Sequence, residues 1–242
     1  MNYLIIIPAR LKSSRLPNKP LIKINGKEVL LRTYQRCLSA VKNPKKIIVA
    51  TDHAKIFSFC DQNNIRVLMT SSSCLTGTDR VCEVANKTSA DVYINVQGDE
   101  PVLNPDDLIK VIKTATNDPS KIYNGYAKIE NKKNYFSPNI PKVVFNPKTK
   151  LLLYMSRAAI PSNKSFDFVK AWKQVCIYAY PKAALKAFSS VKKTSLESIE
   201  DIEVLRFLEL GFEVEMIKLS GDGIAVDVPE DIKKVETYLN EN

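Results

Sequence analysis

Short apolar runs alternate with amphipathic stretches through the first half of the chain. Four runs rich in β-branched residues predict strands at residues 3–8, 46–51, 66–70 and 91–97. Between and after them, apolar residues recur with helical spacing and predict helices at residues 28–40, 54–63, 78–87 and 105–115. Strands that alternate with helices in this way predict an α/β fold with a mostly parallel, doubly wound sheet.

The pattern changes after about residue 120. Strand-like runs follow one another closely at residues 122–130, 142–146 and 151–155, and the turn sequence at 146–149 favours antiparallel pairing among them. Beyond a polar stretch, the pattern predicts strands at 175–180 and 213–219 and helices at 181–189, 198–210 and 229–239. Because no repeat or linker interrupts the chain, we predict one domain over residues 1–242 with an antiparallel excursion at about 122–175.

Composition narrows the chemistry that the chain can perform. Its five cysteines form no Cys-x-x-Cys pair and His53 is the only histidine, which argues against zinc clusters and a Ser-His-Asp triad. No apolar run approaches the roughly 20 residues of a membrane-spanning helix, so we expect a cytoplasmic protein without membrane insertion. The net charge of +10 is compatible with a solvated lysine-rich surface, an anionic substrate or nucleic acid.

A basic loop follows the first predicted strand and carries Arg10, Lys12, Arg15 and Lys19. Ligands of open α/β sheets bind beyond the carboxyl ends of the strands, where this loop would lie. Clustered positive charge and N–H donors at that position suit a triphosphate. The loop contains neither a Walker motif nor Gly-x-Gly-x-x-Gly, which argues against P-loop and dinucleotide folds. The alternative is a solvated basic loop without a ligand.

Two carboxylates are candidates for binding magnesium. Asp99 follows Gly98 at the end of the fourth predicted strand, and the preceding Gln97 offers a donor and an acceptor to a sugar hydroxyl. Glu100 beside it either assists or faces water. Asp227 precedes the last predicted helix, where it either caps the helix or provides a second metal ligand opposite Asp99.

Charged residues recur with helical spacing near the end of the chain. Residues 196–211 predict an amphipathic helix that places Glu200, Glu203 and Arg206 on one face. This face is either solvated, with local ion pairs, or part of a site.

Several motifs resemble, in the same order, those of the 3-deoxy-D-manno-octulosonate (Kdo) cytidylyltransferases, a family also called CMP-Kdo synthetases. The most specific are Pro-Ala-Arg…Arg-Leu-Pro…Lys-Pro-Leu within residues 7–21 and Val-Gln-Gly-Asp-Glu-Pro at 96–101. Further matches cover nearly the whole chain, at residues 50–52, 76–80, 142–144, 154–161, 177–180, 200–206 and 226–231. The resemblance implies a GT-A-like nucleotidyltransferase fold, a magnesium requirement, and a homodimer joined through the excursion and the C-terminal region.

The resemblance also implies a role for each matching position. The catalytic residues would be Arg10, Lys19 and Asp99. The CTP-binding residues would be Pro8, Ala9, Arg10, Ser14, Lys19, Thr76, Gly77 and Arg80. The magnesium ligands would be Asp99 and Asp227. The residues around the acidic keto-sugar would be Gln97, Arg157, Gln174, Tyr178 and Glu203, with Arg157 paired to the sugar carboxylate.

The chain departs from the typical family pattern mainly in the sugar half. Gln174 stands where the family has His, Cys176 where it has Gly, and Val204 where it has a Gln that would bind a sugar hydroxyl. The implied reaction is CMP transfer from CTP to Kdo, or to a relative such as 8-amino-Kdo or a nonulosonate, for lipopolysaccharide or other surface polysaccharide synthesis. The alternative of a non-catalytic RNA-binding protein predicts aromatic residues among the basic ones, and residues 10–19 contain none. We therefore expect no nucleic-acid partner.

Overall fold

The computed structural model describes residues 1–12 and 15–241. Its strands are β1 (Tyr3–Ala9), β2 (Lys23–Ile24), β3 (Lys27–Glu28), β4 (Ile47–Thr51), β5 (Val67–Met69), β6 (Val92–Val96), β7 (Ile122–Lys128), β8 (Lys142–Phe145), β9 (Leu152–Ser156), β10 (Trp172–Pro181) and β11 (Val214–Lys218). Its α-helices are α1 (Val29–Val41), α2 (Ala54–Gln62), α3 (Gly77–Lys87), α4 (Pro105–Asn117), α5 (Lys132–Phe136), α6 (Lys182–Ser189), α7 (Ser195–Glu200), α8 (Val204–Glu209) and α9 (Pro229–Glu241). Short 3-10 helices lie at Lys19–Leu21 and Pro44–Lys46. None of the helices in the described part of the chain combines the length and apolarity that a membrane crossing requires.

One large sheet organises the fold, and its main path runs in the order β11-β7-β10-β6-β1-β4-β5. Strands β6, β1, β4 and β5 pair in parallel, as do β11 and β7. Strand β10 runs antiparallel to both of its neighbours, and the β8–β9 hairpin joins its first residues. The predicted α/β fold, with a mostly parallel sheet and an antiparallel insertion, is therefore confirmed.

The central strands divide their side chains between two hydrophobic cores. In β1, Ile5 and Ile7 point to the core covered by α1, α2 and α4. Leu4 and Ile6 point to the opposite core, covered by α3, α6 and α8. Successive side chains of a strand point to opposite faces, and a strand covered on both faces is apolar almost throughout. This explains why the strand runs were recognisable as continuous apolar segments.

The antiparallel pairing predicted within residues 122–155 is correct for one pair of strands and wrong for the other. Strands β8 and β9 do pair, and the side chain of Asn146 holds their turn by accepting from the backbone N–H groups of Lys148 and Thr149. Strand β7 instead lies between β10 and β11 in the main sheet. Its first six residues are buried, and a strand buried on both faces needs sheet neighbours and covering layers rather than a place in an excursion.

The single helix predicted at residues 198–210 is also wrong, because the backbone breaks at Asp201. This residue has a φ of 51°, in the left-handed region, and it separates α7 from α8. Glu200, Glu203 and Arg206 therefore do not share one face. Glu200 accepts a hydrogen bond from Ser156, Glu203 reaches the start of α3, and Arg206 is buried.

A buried ion pair joins α7 to α8. Arg206, which is 2% exposed, donates from Nε and Nη2 to the two carboxylate oxygens of Glu197 at 2.6 and 2.7 Å. The guanidinium lies over the ring of Phe188, 3.6 Å from its centroid, and Nη1 is 3.3 Å from a carboxylate oxygen of Asp79. Because Asp79 belongs to the first turn of α3, this pair ties the broken helix to that turn.

Candidate active site

The carboxyl ends of β1 and β6 lie so close together that only glycine fits between them. A Cβ at Gly98, just after β6, would lie 2.7 Å from the backbone oxygen of Pro8 in β1. Gly98 does not have a positive φ, so its role is this close approach rather than a left-handed turn. The approach places Asp99 beside the basic loop that follows Ala9.

Lys19 connects the two carboxylates that were predicted as metal ligands. Its Nζ donates to a carboxylate oxygen of Asp99 and, at 3.1 Å, to Oδ1 of Asp227, from which it is 208 residues distant in sequence. Arg15 also contacts Asp227, at 3.2 Å. Burial by itself lowers the pKa of Lys19, but the charges of Asp99 and Asp227 and the bonds to them outweigh burial and raise it. The two carboxylates therefore converge on one cationic group.

This convergence fits the chemistry of magnesium. The two carboxylates supply hard oxygen ligands, and the lysine ammonium between them shows that both reach a single cation. Within residues 1–12 and 15–241, no group of three or more His, Cys, Asp or Glu side chains is arranged around a metal position. Mg²⁺ is commonly held by one or two carboxylates together with substrate phosphates and water, so two carboxylates are sufficient.

Replacing Lys19 with methionine is expected to weaken CTP binding and to make the free protein more responsive to Mg²⁺. The family resemblance implies that Lys19 binds a phosphate of CTP, and if it does, loss of this charged donor should raise the KM for CTP about tenfold to a hundredfold. It also leaves Asp99 and Asp227 facing each other without the ammonium, a repulsion that a divalent cation relieves. Thermal melts should therefore show a larger rise in Tm on adding Mg²⁺ alone than the wild type shows.

The exposed Lys23, which pairs with Glu28 and is 65% exposed, provides the matched control for Lys19→Met. The Lys23→Met variant should keep both the wild-type KM and the wild-type response to Mg²⁺. Equal Mg²⁺ responses of Lys19→Met and the wild type would contradict the role of Lys19 as a counter-ion.

A cavity of about 240 Å³, which we call the strand-end cavity, lies over these loops. Most of the residues that the family resemblance assigned to a site are in its walls, namely Pro8, Ala9, Arg10, Lys19, Thr76, Gly77, Arg80, Gln97, Asp99, Glu203 and Asp227. The structure therefore brings together residues from five separate motifs. Ser14, which the resemblance assigned to the phosphates, lies outside the described residues.

The turn at the start of α3 forms one wall of the strand-end cavity and is held from two sides. Thr76 and Asp79 form a capping box, in which each side chain accepts from the backbone N–H of the other. Glu203 approaches from α8 and accepts from the backbone N–H groups of Gly77 and Thr78 at 3.0 and 2.8 Å. Burial raises the pKa of Glu203, and the bonds from Thr78 and Gly77 oppose that rise. The helix N-terminus thus fixes the position of this carboxylate.

A second cavity, of about 400 Å³, shares Asp227 with the strand-end cavity. We call it the Glu100 cavity, after an acidic residue in its wall. Gln174 and Cys176, two of the positions at which the chain departs from the family pattern, also line it. The predicted sugar residues are therefore divided, with Gln97 and Glu203 in one cavity and Gln174 in the other.

Arg157 does not lie where a partner for a sugar carboxylate was expected. It lines neither of these two cavities in the described chain. Its Nε, Nη1 and Nη2 donate to the backbone oxygens of Glu200, Pro138 and Asp201, at 2.6, 2.9 and 2.9 Å. Because three carbonyls already occupy the guanidinium, its place in this structure is that of a link between the excursion and the end of α7.

Tyr178 and Val204 also lie away from the walls of both cavities. Tyr178 is 6% exposed, and its ring stacks against Tyr180 with centroids 5.9 Å apart. Val204 is fully buried in the core on the α3 side of the sheet. Val204 therefore completes the core in this structure, and its effect on the recognition of a sugar hydroxyl stays a prediction.

Two contributions to the site were not anticipated from the sequence. Arg15 was recognised as part of the basic loop, but its contact with Asp227 depends on a segment far away in sequence. For Glu100 the sequence allows either a role in the site or a solvated side chain, and the structure leaves this residue only 8% exposed. Burial, together with the charges of Asp99 and Asp227, raises the pKa of Glu100 to about 8. A Glu beyond a strand end carries no sequence signal that separates a buried orientation from an exposed one.

The sequence profile of the cytidylyltransferases matches residues 4–218. The chain belongs to the cytidylyltransferase family. A 3-deoxy-manno-octulosonate cytidylyltransferase of Herminiimonas arsenicoxydans is 36% identical to it, over 100% of both chains. An 8-amino-3,8-dideoxy-manno-octulosonate cytidylyltransferase of Shewanella oneidensis is 37% identical, over 99% of both chains.

Solved structures share the fold of this cytidylyltransferase. A CMP:2-keto-3-deoxy-manno-octonic acid synthetase complexed with CTP aligns with a TM-score of 0.90 and 32% identity, over 100% of this chain and 99% of the other. A cytidylyltransferase from Leptospira borgpetersenii has a TM-score of 0.66 at 14% identity, over 100% of this chain and 88% of the other, and supports the fold alone. The predicted nucleotidyltransferase fold is confirmed by these likenesses.

Proposed function

We propose that this cytidylyltransferase transfers CMP from CTP to 3-deoxy-manno-octulosonate or to its 8-amino relative, with release of pyrophosphate. The observation that carries the proposal is the convergence of Asp99 and Asp227 beside Arg10, Arg15 and Lys19 in the strand-end cavity. Paired carboxylates with clustered cations are the groups that nucleotidyl transfer requires. The choice of acceptor is supported by relatives of both acceptor types that align along the full chain.

The basic residues of the strand-end cavity would bind and polarise CTP. Arg10, Arg15 and Lys19 would contact the triphosphate oxygens and stabilise the charge that builds up on the leaving pyrophosphate. The anomeric hydroxyl oxygen of the acceptor attacks the α-phosphorus, the bond from this phosphorus to the bridging oxygen breaks, and the hydroxyl proton passes to water. No protein nucleophile is needed, and His53, the single histidine, caps α2 instead.

The proposed function also assigns Asp99 and Asp227 to a magnesium ion. When bound, the ion would neutralise phosphate charge and lower the pKa of the acceptor hydroxyl. Lys19 would then exchange its contacts with the two carboxylates for contacts with phosphate oxygens. The contacts of Lys19 with both carboxylates support this exchange, because a cation already lies between the two groups.

A pyrophosphate-release assay with a panel of sugar acids tests this function. We expect release from CTP with 3-deoxy-manno-octulosonate or its 8-amino relative, at a kcat/KM of about 10⁴ M⁻¹s⁻¹ or higher for the preferred acceptor. Chelation of Mg²⁺ should abolish the release. Activity confined to a nonulosonate would replace the proposed acceptor, and salt-sensitive RNA binding without any release would overturn nucleotidyl transfer altogether.

A further inference from the structure

A third cavity lies between α1, the loop that follows β6 and the end of α9, and its volume is about 350 Å³. We call it the arginine cavity, because Arg32 and Arg36 of α1 form its polar wall. None of its wall residues lines the strand-end cavity or the Glu100 cavity. Its volume is in the range of small-molecule sites, so it is a separate place at which a ligand could bind.

The positive charge of the arginine cavity is not balanced by a carboxylate. Arg32 and Arg36 are one helical turn apart on α1, and no Asp or Glu lines the cavity. Neither guanidinium forms an ion pair in the described part of the chain. Burial lowers the pKa of Arg32, as expected of a cation that has lost water without gaining an anionic neighbour. Like charges at this spacing destabilise a helix, and an anionic ligand would remove that cost.

Backbone carbonyls hold both guanidinium groups in place. Arg32 donates from Nε and Nη2 to the backbone oxygen of Ile24, at 3.1 and 2.6 Å. Arg36 donates from Nε to the backbone oxygen of Leu103 at 2.6 Å. These bonds leave Nη1 of Arg32 and both Nη atoms of Arg36 without an acceptor among residues 1–12 and 15–241. The remaining N–H groups are therefore fixed in position as donors to an oxyanion.

The other wall of the arginine cavity is apolar and aromatic. Pro101 and Val102 are buried, and Tyr238 and Leu239 pack against the small core that contains Val102. A bare inorganic ion on the arginines would leave this wall uncovered, whereas a ligand with an apolar portion would bury it.

The two walls together identify the class of ligand. A phosphate monoester carries nearly two negative charges at neutral pH, which matches two arginines better than a single carboxylate does. We propose that the arginine cavity binds a small phosphorylated molecule. Its phosphate oxygens accept hydrogen bonds from Arg32 and Arg36, and its apolar or aromatic portion lies against Tyr238 and Leu239. This site is independent of the CTP chemistry proposed at the strand ends.

Thermal melts with inorganic phosphate test the polar wall. For a Kd of about 1 mM, phosphate at about 10 mM should raise the Tm of the wild type by about 3 °C. In Arg36→Gln this rise should fall by about half or more, and any remainder would come from phosphate bound to the cations of the strand-end cavity. An equal rise in Arg36→Gln and the wild type would overturn the proposal.

A second variant leaves both arginines in place. Gln35→Glu adds a carboxylate to the cavity wall, and the new side chain keeps the oxygen that accepts from Nζ of Lys27. Because this carboxylate competes with phosphate for the arginines, the rise in Tm should fall as it does in Arg36→Gln. Arg66→Gln is the matched control, since Arg66 is exposed and donates to the backbone oxygen of Lys45, and it should keep the full rise. A full rise in Gln35→Glu would also contradict the proposal.

Phenyl phosphate tests the apolar wall. Its ring offers Tyr238 and Leu239 an apolar surface that inorganic phosphate lacks. The part of the Tm response that Arg36→Gln removes should therefore reach half its maximum at a concentration about tenfold lower than with inorganic phosphate. Titrating the wild type and Arg36→Gln with both compounds measures the two midpoints. Equal midpoints would show that the site does not recognise an organic phosphate.

Discussion

Replacing Asp99 with asparagine is expected to lower kcat/KM for CMP transfer about a thousandfold or more, because it removes one of two charged ligands from the proposed metal position. The side chain keeps its size, so the close approach of the β1 and β6 ends is undisturbed. The fold should survive, since Asp99 is 25% exposed and its side chain bonds only Lys19 among the described residues. Pyrophosphate release and a thermal melt measure the two effects separately.

Two further variants complete this test. Asp227→Asn should cause a loss of the same order, because the two carboxylates act on one cation. Asp61→Asn changes an exposed carboxylate on α2 that lines neither the strand-end cavity nor the Glu100 cavity, and should leave activity unchanged. If Asp99→Asn retains activity within about tenfold of the wild type, the assignment of Asp99 to the metal is wrong.

Replacing Arg206 with methionine is expected to lower the free energy of unfolding by about 3–5 kcal/mol. The substitution leaves Glu197, which is fully buried, without the two hydrogen bonds that satisfy its charge. It also removes the link to Asp79, so the turn at the start of α3 should loosen. Urea unfolding followed by circular dichroism measures the loss.

A variant of a surface ion pair and a double variant test whether the stability loss in Arg206→Met comes from leaving Glu197 buried and unpaired. Lys128→Met removes one side of a pair with Glu130 that is largely solvent-exposed, and should cost about 1 kcal/mol or less. Converting both buried partners, as Glu197→Leu with Arg206→Met, should recover much of the stability because no charge is left buried. If Arg206→Met costs no more than Lys128→Met, the ion pair does not hold α7 to α8.

Local patterns were sufficient for most of the secondary structure. The strand predicted at 3–8 is β1, and the helix predicted at 78–87 is α3 with one residue added at its capped start. The prediction of one helix at 198–210 was wrong because the interruption at Asp201 depends on contacts with residues distant in sequence. Glu203 accepts a hydrogen bond from the start of α3, and Arg206 points inward to Glu197. These contacts stabilise a backbone that is not helical at Asp201.

In the candidate site, too, local motifs predicted which residues lie at the strand ends but not where every side chain points. Motifs at strand ends predicted Asp99 and the basic loop, because the ends of parallel strands gather at one edge of a sheet. The direction of a side chain is set by its neighbours in space, which sequence position does not reveal. Arg157 satisfies three backbone carbonyls, and Val204 fills the core, although both match sugar-site positions in the family resemblance.

The contact of Lys19 with both Asp99 and Asp227 has a consequence for biosynthesis. The three residues of this contact come from three regions of the chain, and 208 residues separate Lys19 from Asp227. During translation the basic loop and Asp99 emerge early, whereas Asp227 follows only after β11, which completes one edge of the sheet. A nascent chain therefore carries Lys19 and Asp99 before Asp227, the second carboxylate of the pair, has been made. The cluster of cations and carboxylates at the strand ends is therefore assembled only after residue 227 has been made and has reached the edge of the sheet.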